Sequence, residues 1–467
     1  MRFPVIGKVL ALGVVLLGLL WALGAVSNVV EERRARQAEA QQNVADSLAT
    51  AQGLLGPVLQ RKCTEIWSTQ SGEGKERKTV SEQREFTLIA TPAKLVVNAR
   101  AETEPRYRGI FRVNGYTLTA TLQAEWLDTA ALQPVAAHAP SKLSCAPPVL
   151  WAAVSDPRGI GMARIRLQGT ELTISPGTPA DGAPLGLQAS WPYSIPLDGA
   201  SVKAELSLEL IGTESLAFAP VGQANEFHLA SDWPHPSFNG RFLPATRDIA
   251  ATGFQAEWRL SSLASRAAHD LLAGRTLCRP GDALPDATPT PRCIETFGVR
   301  LIDPAGSYVL SDRATKYGLL FIALTFVAVA LVEVTRRLRV HPLQYLLVGA
   351  ALAVFFLLLV SLAEHMPFAW AYLAASSACT GLLAFYGVHV LRSLRAGLLF
   401  GAGVGLLYAA LYVLLLREQT ALVLGSVLLF SVLAAVMALT RKLDWYGLVE
   451  QLRSEQPRPK SGPVSSA

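Results

Sequence analysis

His228, Asp232 and His235 come closest to a ligand set: two imidazoles and a carboxylate in one short stretch. First-row metals take such donors. Trp233-Pro234-His235-Pro236 brackets the second histidine between prolines, however, and reads as a rigid aromatic turn. Glu333 and the pair Glu364-His365 matter for another reason: they border apolar runs, where charge often marks function. They fall at the ends of those runs, within reach of water, which favours a structural role. No P-loop, GxSxG, HExxH or glycine-rich dinucleotide fingerprint occurs. The residues thus offer no catalytic constellation, no metal centre and no cofactor site, and the protein is expected not to be an enzyme.

Cys63, Cys145, Cys278 and Cys293 lie in the polar middle of the chain, whereas Cys379 sits in an apolar run and reads as inert packing. Four cysteines in an oxidising compartment allow three pairings. Cys278 and Cys293 flank a proline-rich loop and are expected to pair, leaving Cys63 with Cys145. A zinc site is the alternative, but no CxxC spacing is present.

These residues are positioned by two kinds of sequence. The chain has 467 residues, 51% hydrophobic and 17% charged, and the apolar excess is concentrated at its two ends. Val9–Val26 is uncharged and long enough to cross a hydrocarbon core of about 30 Å. An uncleaved anchor is favoured over a signal peptide, whose apolar core is usually only about 7–15 residues. Five further spans are expected, from Tyr317 to about Val334, Leu343 to about Ala363, Phe368–Leu391, Ala396–Leu416 and Thr420–Leu439. No acidic residue occupies the middle of a span, which weighs against proton or ion coupling.

Charge placement sets an orientation. The chain carries +6 overall. Arg2, Lys8, Arg336, Arg337, Arg339, Arg392, Arg395, Arg441 and Lys442 flank the apolar runs, and the remainder is slightly acidic. The basic character is therefore a topology signal, with no patch left over for nucleic acid. With both termini cytoplasmic, every basic loop falls inside, and residues ~27–316 lie in the periplasm. Tyr317, Trp370, Tyr372, Trp445 and Tyr446 are expected at the bilayer interfaces. Gly397, Gly401 and Gly405 form overlapping GxxxG pairs, suited to close helix packing within the chain or to a homo-oligomer.

The middle of the chain has period two. Ser201–Leu210, Gly115–Trp126, Leu95–Ala101, Ala163–Leu167, Leu172–Ser175 and Phe254–Leu260 alternate polar and apolar residues, separated by Gly and Pro turns. One helix is expected, Ser262–Ala273. The fold class is α+β: an N-terminal transmembrane helix (1–30), a periplasmic antiparallel β-sandwich-like domain (31–315), a bundle of five transmembrane helices (316–446) and a disordered cytoplasmic tail (447–467).

Several motifs run through this frame. Lys316-Tyr317-Gly318-Leu319-Leu320-Phe321 opens the membrane block, followed by Glu333, His341-Pro342-Leu343-Gln344-Tyr345, Glu364-His365, Ala371-Tyr372 and Asp444-Trp445-Tyr446. The middle carries Arg108-Gly109-Ile110-Phe111, Ser155-Asp156-Pro157-Arg158-Gly159-Ile160 and Trp233-Pro234-His235-Pro236. With the topology, these resemble the CreD family, bacterial inner-membrane cell-envelope-integrity proteins. The resemblance implies an inner-membrane location, control by a two-component sensor and regulator, colicin tolerance and an altered β-lactam response. It supplies no catalytic residues. Its motif positions are Arg108, Gly109, Asp156, Arg158, Trp233, His235, Glu333, His341, Glu364 and His365. The expected partners are the lipid bilayer and an envelope component or protein; the alternative is a transporter subunit built on the C-terminal helices.

Overall fold

The structure, a computed structural model, describes residues 5–441 except 72–77, 193, 196, 198, 279–292, 304–305, 337–339 and 418–419. The expected tail at 447–467, the interfacial Trp445 and Tyr446, and Arg337, Arg339 and Lys442 lie outside the described residues. The chain divides into two units, Gln37–Asp303 and the sequence flanking it on either side.

The chain begins with helix α1 (Val5–Ser47). Strands follow: β1 (Gln52–Ser71), β2 (Lys78–Ala90), β3 (Lys94–Arg108), β4 (Phe111–Trp126), β5 (Ser141–Cys145), β6 (Val149–Val154) and β7 (Ile160–Leu167). Then come β8 (Thr170–Leu172), β9 (Ile174–Pro176), β10 (Gly186–Ser190), β11 (Val202–Thr213), β12 (Ser215–Phe218) and β13 (Ala224–Ser231). β14 (Pro236–Gly240), β15 (Thr246–Ala250), β16 (Gly253–Ser261), helix α2 (Ala267–Leu272), β17 (Thr276–Leu277), β18 (Cys293–Ile294) and β19 (Phe297–Leu301) complete the unit. The last helices are α3 (Ser307–Lys316), α4 (Gly318–Arg336), α5 (Pro342–Ala363), α6 (Phe368–Val390), α7 (Leu394–Leu416) and α8 (Ala421–Thr440).

The β unit holds a nine-stranded sheet, with the path β14-β19-β12-β1-β6-β10-β9 and β2 and β5 attached to β1. Its eight-stranded sheet runs β15-β16-β13-β3-β4-β11-β7-β8. One cluster of buried apolar side chains draws on both, from Leu55 and Trp151 to Leu118, Leu206 and Trp258. Alternation drives this. Along β4, Tyr116, Leu118, Ala120, Leu122, Ala124 and Trp126 are buried, as their period-two spacing requires.

Three expectations need correction here. The sheets are mixed rather than antiparallel: β1 pairs parallel with β12, and β3 with β13. Such pairs join strands far apart in sequence, which local patterning does not register. The expected Leu172–Ser175 strand is split, since Leu172 ends β8 in one sheet and Ile174 begins β9 in the other. The helix expected over Ser262–Ala273 shrinks to α2. It closes with a Schellman arrangement, Gly274 N–H to Leu271 C=O and Arg275 N–H to Asp270 C=O at 3.0 Å each, with Gly274 at φ +70°.

In the flanking unit, five helices are long and apolar enough to cross a membrane among the described residues, or six if α3 and α4, bent by 47°, count as one span. A short polar helix, α3, precedes the apolar run, and the break between α3 and α4 falls at Tyr317, where the run was expected to begin. Glu31–Glu39, whose Ala, Glu, Arg and Gln are good helix formers, continues the N-terminal helix without a break. Leu19, Leu23 and Val26 are buried among Phe321, Val348 and Phe356. A Cβ on Gly318 would lie 2.9 Å from Leu23, and one on Gly349 would collide with Leu19.

The glycine stripe on α7 faces α6 of the same chain. A Cβ on Gly397 would collide with Val388, one on Gly401 would sit 2.6 Å from Ala384 Cβ, and one on Gly405 would sit 3.5 Å from Thr380. Tyr372 packs against neighbouring helices. It is buried, and its hydroxyl donates to the Tyr408 carbonyl at 2.7 Å, while Trp370 is exposed. Cys379 is buried and accepts from the Tyr408 hydroxyl at 3.1 Å.

Candidate functional site

The Asp156-Pro157-Arg158-Gly159 motif forms a clasp where α1 gives way to β1. The Asp156 carboxylate accepts from Thr50 N–H at 3.0 Å, the Thr50 hydroxyl at 3.2 Å, Arg158 N–H at 3.1 Å and Arg158 Nη2 at 2.6 Å. The Arg158 guanidinium also donates to the carbonyls of Asp46 and Ala45, in the last turn of α1, where helix carbonyls lack partners. Gln52, buried and unremarkable in the sequence, closes the clasp. Its amide donates to the carbonyls of Asp156 and Ile211, and its oxygen accepts from Asp156 N–H. Only glycine fits at 159, since a Cβ would strike the Ile211 carbonyl. Burial alone would raise the Asp156 carboxyl. The hydrogen bonds from the Arg158 side chain and from the Thr50 and Arg158 amides outweigh it and hold the group at about 2.

The other motifs in the β unit are also brought to specific roles. Trp233 Nε1 donates to the His235 carbonyl at 3.1 Å and to the Ile302 carbonyl at 3.0 Å, fastening the Trp-Pro-His-Pro turn to the end of β19. Asp232 accepts from Thr103 N–H at 2.9 Å. His228 stands opposite Glu257 on β16. The residues of the candidate ligand set are thus directed to different neighbours, and among the described residues no group of three His, Cys, Asp or Glu could hold a metal. Arg108 and Gly109 form the tip of the β3–β4 hairpin, with Gly109 at φ +60°.

The disulfides are Cys63–Cys145, between paired residues of β1 and β5, and Cys278–Cys293, bridging β17 to β18. Beside the first lies a carboxylate that sequence reading missed. Glu65 is fully buried and accepts from the Ala137 and His138 amides at 2.9 Å each, from the Ser141 hydroxyl at 2.8 Å, and pairs with Arg84 at 3.1 Å. The His138 amide above all holds its carboxyl below the usual range. A lone Glu in an alternating strand gives no sequence signal for such a role. Glu295, likewise buried, accepts from Arg266 N–H at 3.1 Å and pairs with Arg241 at 3.3 Å.

In the helical unit, the corner between α4 and α5 gathers Glu333, His341 and Tyr345. Glu333 accepts from the Tyr345 hydroxyl at 2.8 Å and Val340 N–H at 3.3 Å. His341 caps α5: its Nδ1 accepts from Leu343 N–H at 3.2 Å, and Gln344 returns a bond to its amide at 3.0 Å. Next to Glu333 is a mainly apolar cavity of about 40 Å³, lined also by Val340, Val348, Tyr386 and Phe400. Glu364, at the end of α5, pairs with Arg33 at 3.2 Å.

One open groove stands out, of about 400 Å³ on the exposed face of the eight-stranded sheet. A cross-strand row runs through it: Thr246, Glu257, His228 and Asn98 are successive register partners on β15, β16, β13 and β3. Arg259 donates to Glu257 at 2.6 Å and keeps its carboxyl below the usual range. The row offers donors and acceptors of both kinds, suited to a polar ligand.

Comparison with known proteins bears on the whole chain. The family model described as "Inner membrane protein CreD" matches residues 4–446. The protein named "Inner membrane protein CreD" of Escherichia coli (strain K12) is 34% identical over 447 residues, covering 96% of this chain and 95% of that protein. The match spans the β unit, the clasp and the apolar helices alike, and the chain belongs to the CreD family of inner membrane proteins.

Proposed function

We propose that this protein is a non-enzymatic component of cell-envelope integrity, in which a disulfide-braced β-sandwich in the periplasm binds an envelope component or protein partner and the helices anchor it. Six spans with both termini cytoplasmic and residues ~27–316 periplasmic fit the placement of the basic loops. The observation that carries the reading is the confinement of both disulfides to the Gln37–Asp303 unit, because such bonds persist outside the reducing cytosol. The polar groove at His228 and Glu257 is the binding face this reading favours. Colicin tolerance and the β-lactam response come from the family resemblance. The charged motif residues Asp156 and Arg158, and Glu65 in the same β unit, support a structural rather than a chemical role, since all three are engaged in fastening backbone.

The transporter reading is the weaker one. The cavity at Glu333, about 40 Å³, has room for a few waters and is too small to be a solute pathway. Reporter fusions test the topology: one after Arg395 should read cytoplasmic and one near Ser201 periplasmic, and the reverse would sink the orientation. In-cell photocrosslinking from Gln255, at the groove, should capture an envelope partner that a probe at Leu263 does not. Equal capture at both positions would refute the groove.

A further inference from the structure

The β3–β4 hairpin outruns the sheet that supports it. Pairing of β4 with β11 stops at Gly115 and Thr213, whereas β3 and β4 remain paired to Arg108 and Phe111. Val113 is fully buried and anchors the base of the ribbon. Beyond it the side chains turn outward: Arg106, Arg108 and Arg112 are exposed, as are Tyr107 at 67% and Ile110 at 49%. Glu104 offsets one charge, pairing with Arg106 at 2.5 Å, so the tip remains cationic. Because Tyr107 pairs with Arg112 and Arg108 with Phe111, arginines lie on both faces of the ribbon and surround the aromatic and aliphatic residues.

The place of this tip is as telling as its composition. The hairpin leaves the sheet at the end where the chain enters and leaves the β unit. The Thr213 hydroxyl donates to the Ala49 carbonyl at 3.1 Å, and the Asn114 side chain donates to the Leu301 carbonyl at 3.3 Å. Ala49 follows α1, and Leu301 precedes the remaining helices. Both tethers to the membrane helices therefore start beside the base of the hairpin.

We propose that the tip at Arg106–Arg112 docks on anionic phospholipid headgroups of the bilayer that holds the helices. Guanidinium groups bind phosphate oxygens bidentately, and a tyrosine ring with an aliphatic neighbour suits the headgroup boundary. Charge complementarity and the shared end with both tethers select lipid over a soluble partner. The proposal is independent of what the polar groove binds, and so can fail or stand separately from it.

The test uses the full-length protein in proteoliposomes, with a photoreactive amino acid at Ile110 and, as a control, at the exposed Leu263. In vesicles of phosphatidylglycerol and phosphatidylethanolamine, Ile110 should give lipid adducts by mass spectrometry and Leu263 should not. R108E/R112E should lower the yield roughly thirtyfold, the effect of losing two basic contacts with a charged surface, and high salt should also lower it. R108K/R112K should retain most of it. Intact disulfides in each variant confirm folding. Equal adducts at both positions, no effect of charge reversal, or undiminished yield in pure phosphatidylcholine would overturn the proposal. Adducts to protein instead of lipid would also overturn it and assign the tip to a protein partner.

Discussion

Arg33 Nε lies 3.2 Å from the Glu364 carboxylate, joining the polar stretch of α1 to the end of α5. Glu364 is mostly buried and Arg33 about one-third exposed. The same stretch of α1 holds α3 through Arg34 and Asp312 at 3.2 Å, and Leu19 and Leu23 insert where Gly349 and Gly318 leave room. The N-terminal helix is thus built into the helical core.

Removing either charge should destabilise the helical unit. E364A and R33A should each cost about 1–2 kcal/mol, since one partly buried charge is left unpaired. The R33E/E364R exchange should restore part of the loss. A double-mutant cycle from thermal unfolding in detergent measures the coupling, and purely additive effects would argue against the pair.

The clasp should make the β unit acid-sensitive. The Asp156 carboxyl is held at about 2, below its ordinary value of 3.8. A carboxyl lowered by folding stabilises the protein above its unfolded pKa, and that contribution disappears as pH falls through the folded value. Stability should therefore decline from pH 4 toward pH 2, by about 1–2 kcal/mol from this group after solvent screening. Glu65, also held low, adds to the decline in the same direction. D156N should be less stable at neutral pH and should flatten that part of the profile, read by circular dichroism.

Gly401 and Gly403 on α7 should respond differently to alanine. G401A places a methyl 2.6 Å from Ala384 Cβ and should cost about 1–3 kcal/mol through overpacking. G403A meets nothing within 4 Å and should be neutral or slightly stabilising. Thermal unfolding checks both. Equal effects would mean that the α6–α7 packing is not the reason for the stripe.

The disulfides span 82 and 15 residues. By chain entropy, losing Cys63–Cys145 should cost about 4.5 kcal/mol and losing Cys278–Cys293 about 3 kcal/mol. Serine pairs and non-reducing peptide mapping test the connectivity and the order. Greater damage from the shorter loop would count against the entropic explanation.

Much of the architecture is written in short-range pattern. Val9–Val26 and the C-terminal apolar runs could be read from length and hydropathy alone, because a helix of that composition has few other ways to bury itself. The alternation of Gly115–Trp126 likewise forces a strand with one buried face. The Cys278–Cys293 bond spans a loop short enough to be inferred from spacing.

Tertiary structure decided what depends on distant partners. The parallel pairing of β3 with β13 joins segments over a hundred residues apart, and nothing in either strand names the other. Tyr372, amphipathic enough for an interface, is drawn inward because Tyr408 offers a buried carbonyl. Gln52 and Glu65 sit in a strand like any polar residue, yet the fold brings backbone carbonyls and amides from distant segments within hydrogen-bond reach of their side chains. Asp156 and Arg158 were visible as a motif, but only the arrival of the last turn of α1 turns them into a clasp. Sequence fixes which segments must leave water; which polar groups then find each other is settled by the packing of the whole chain.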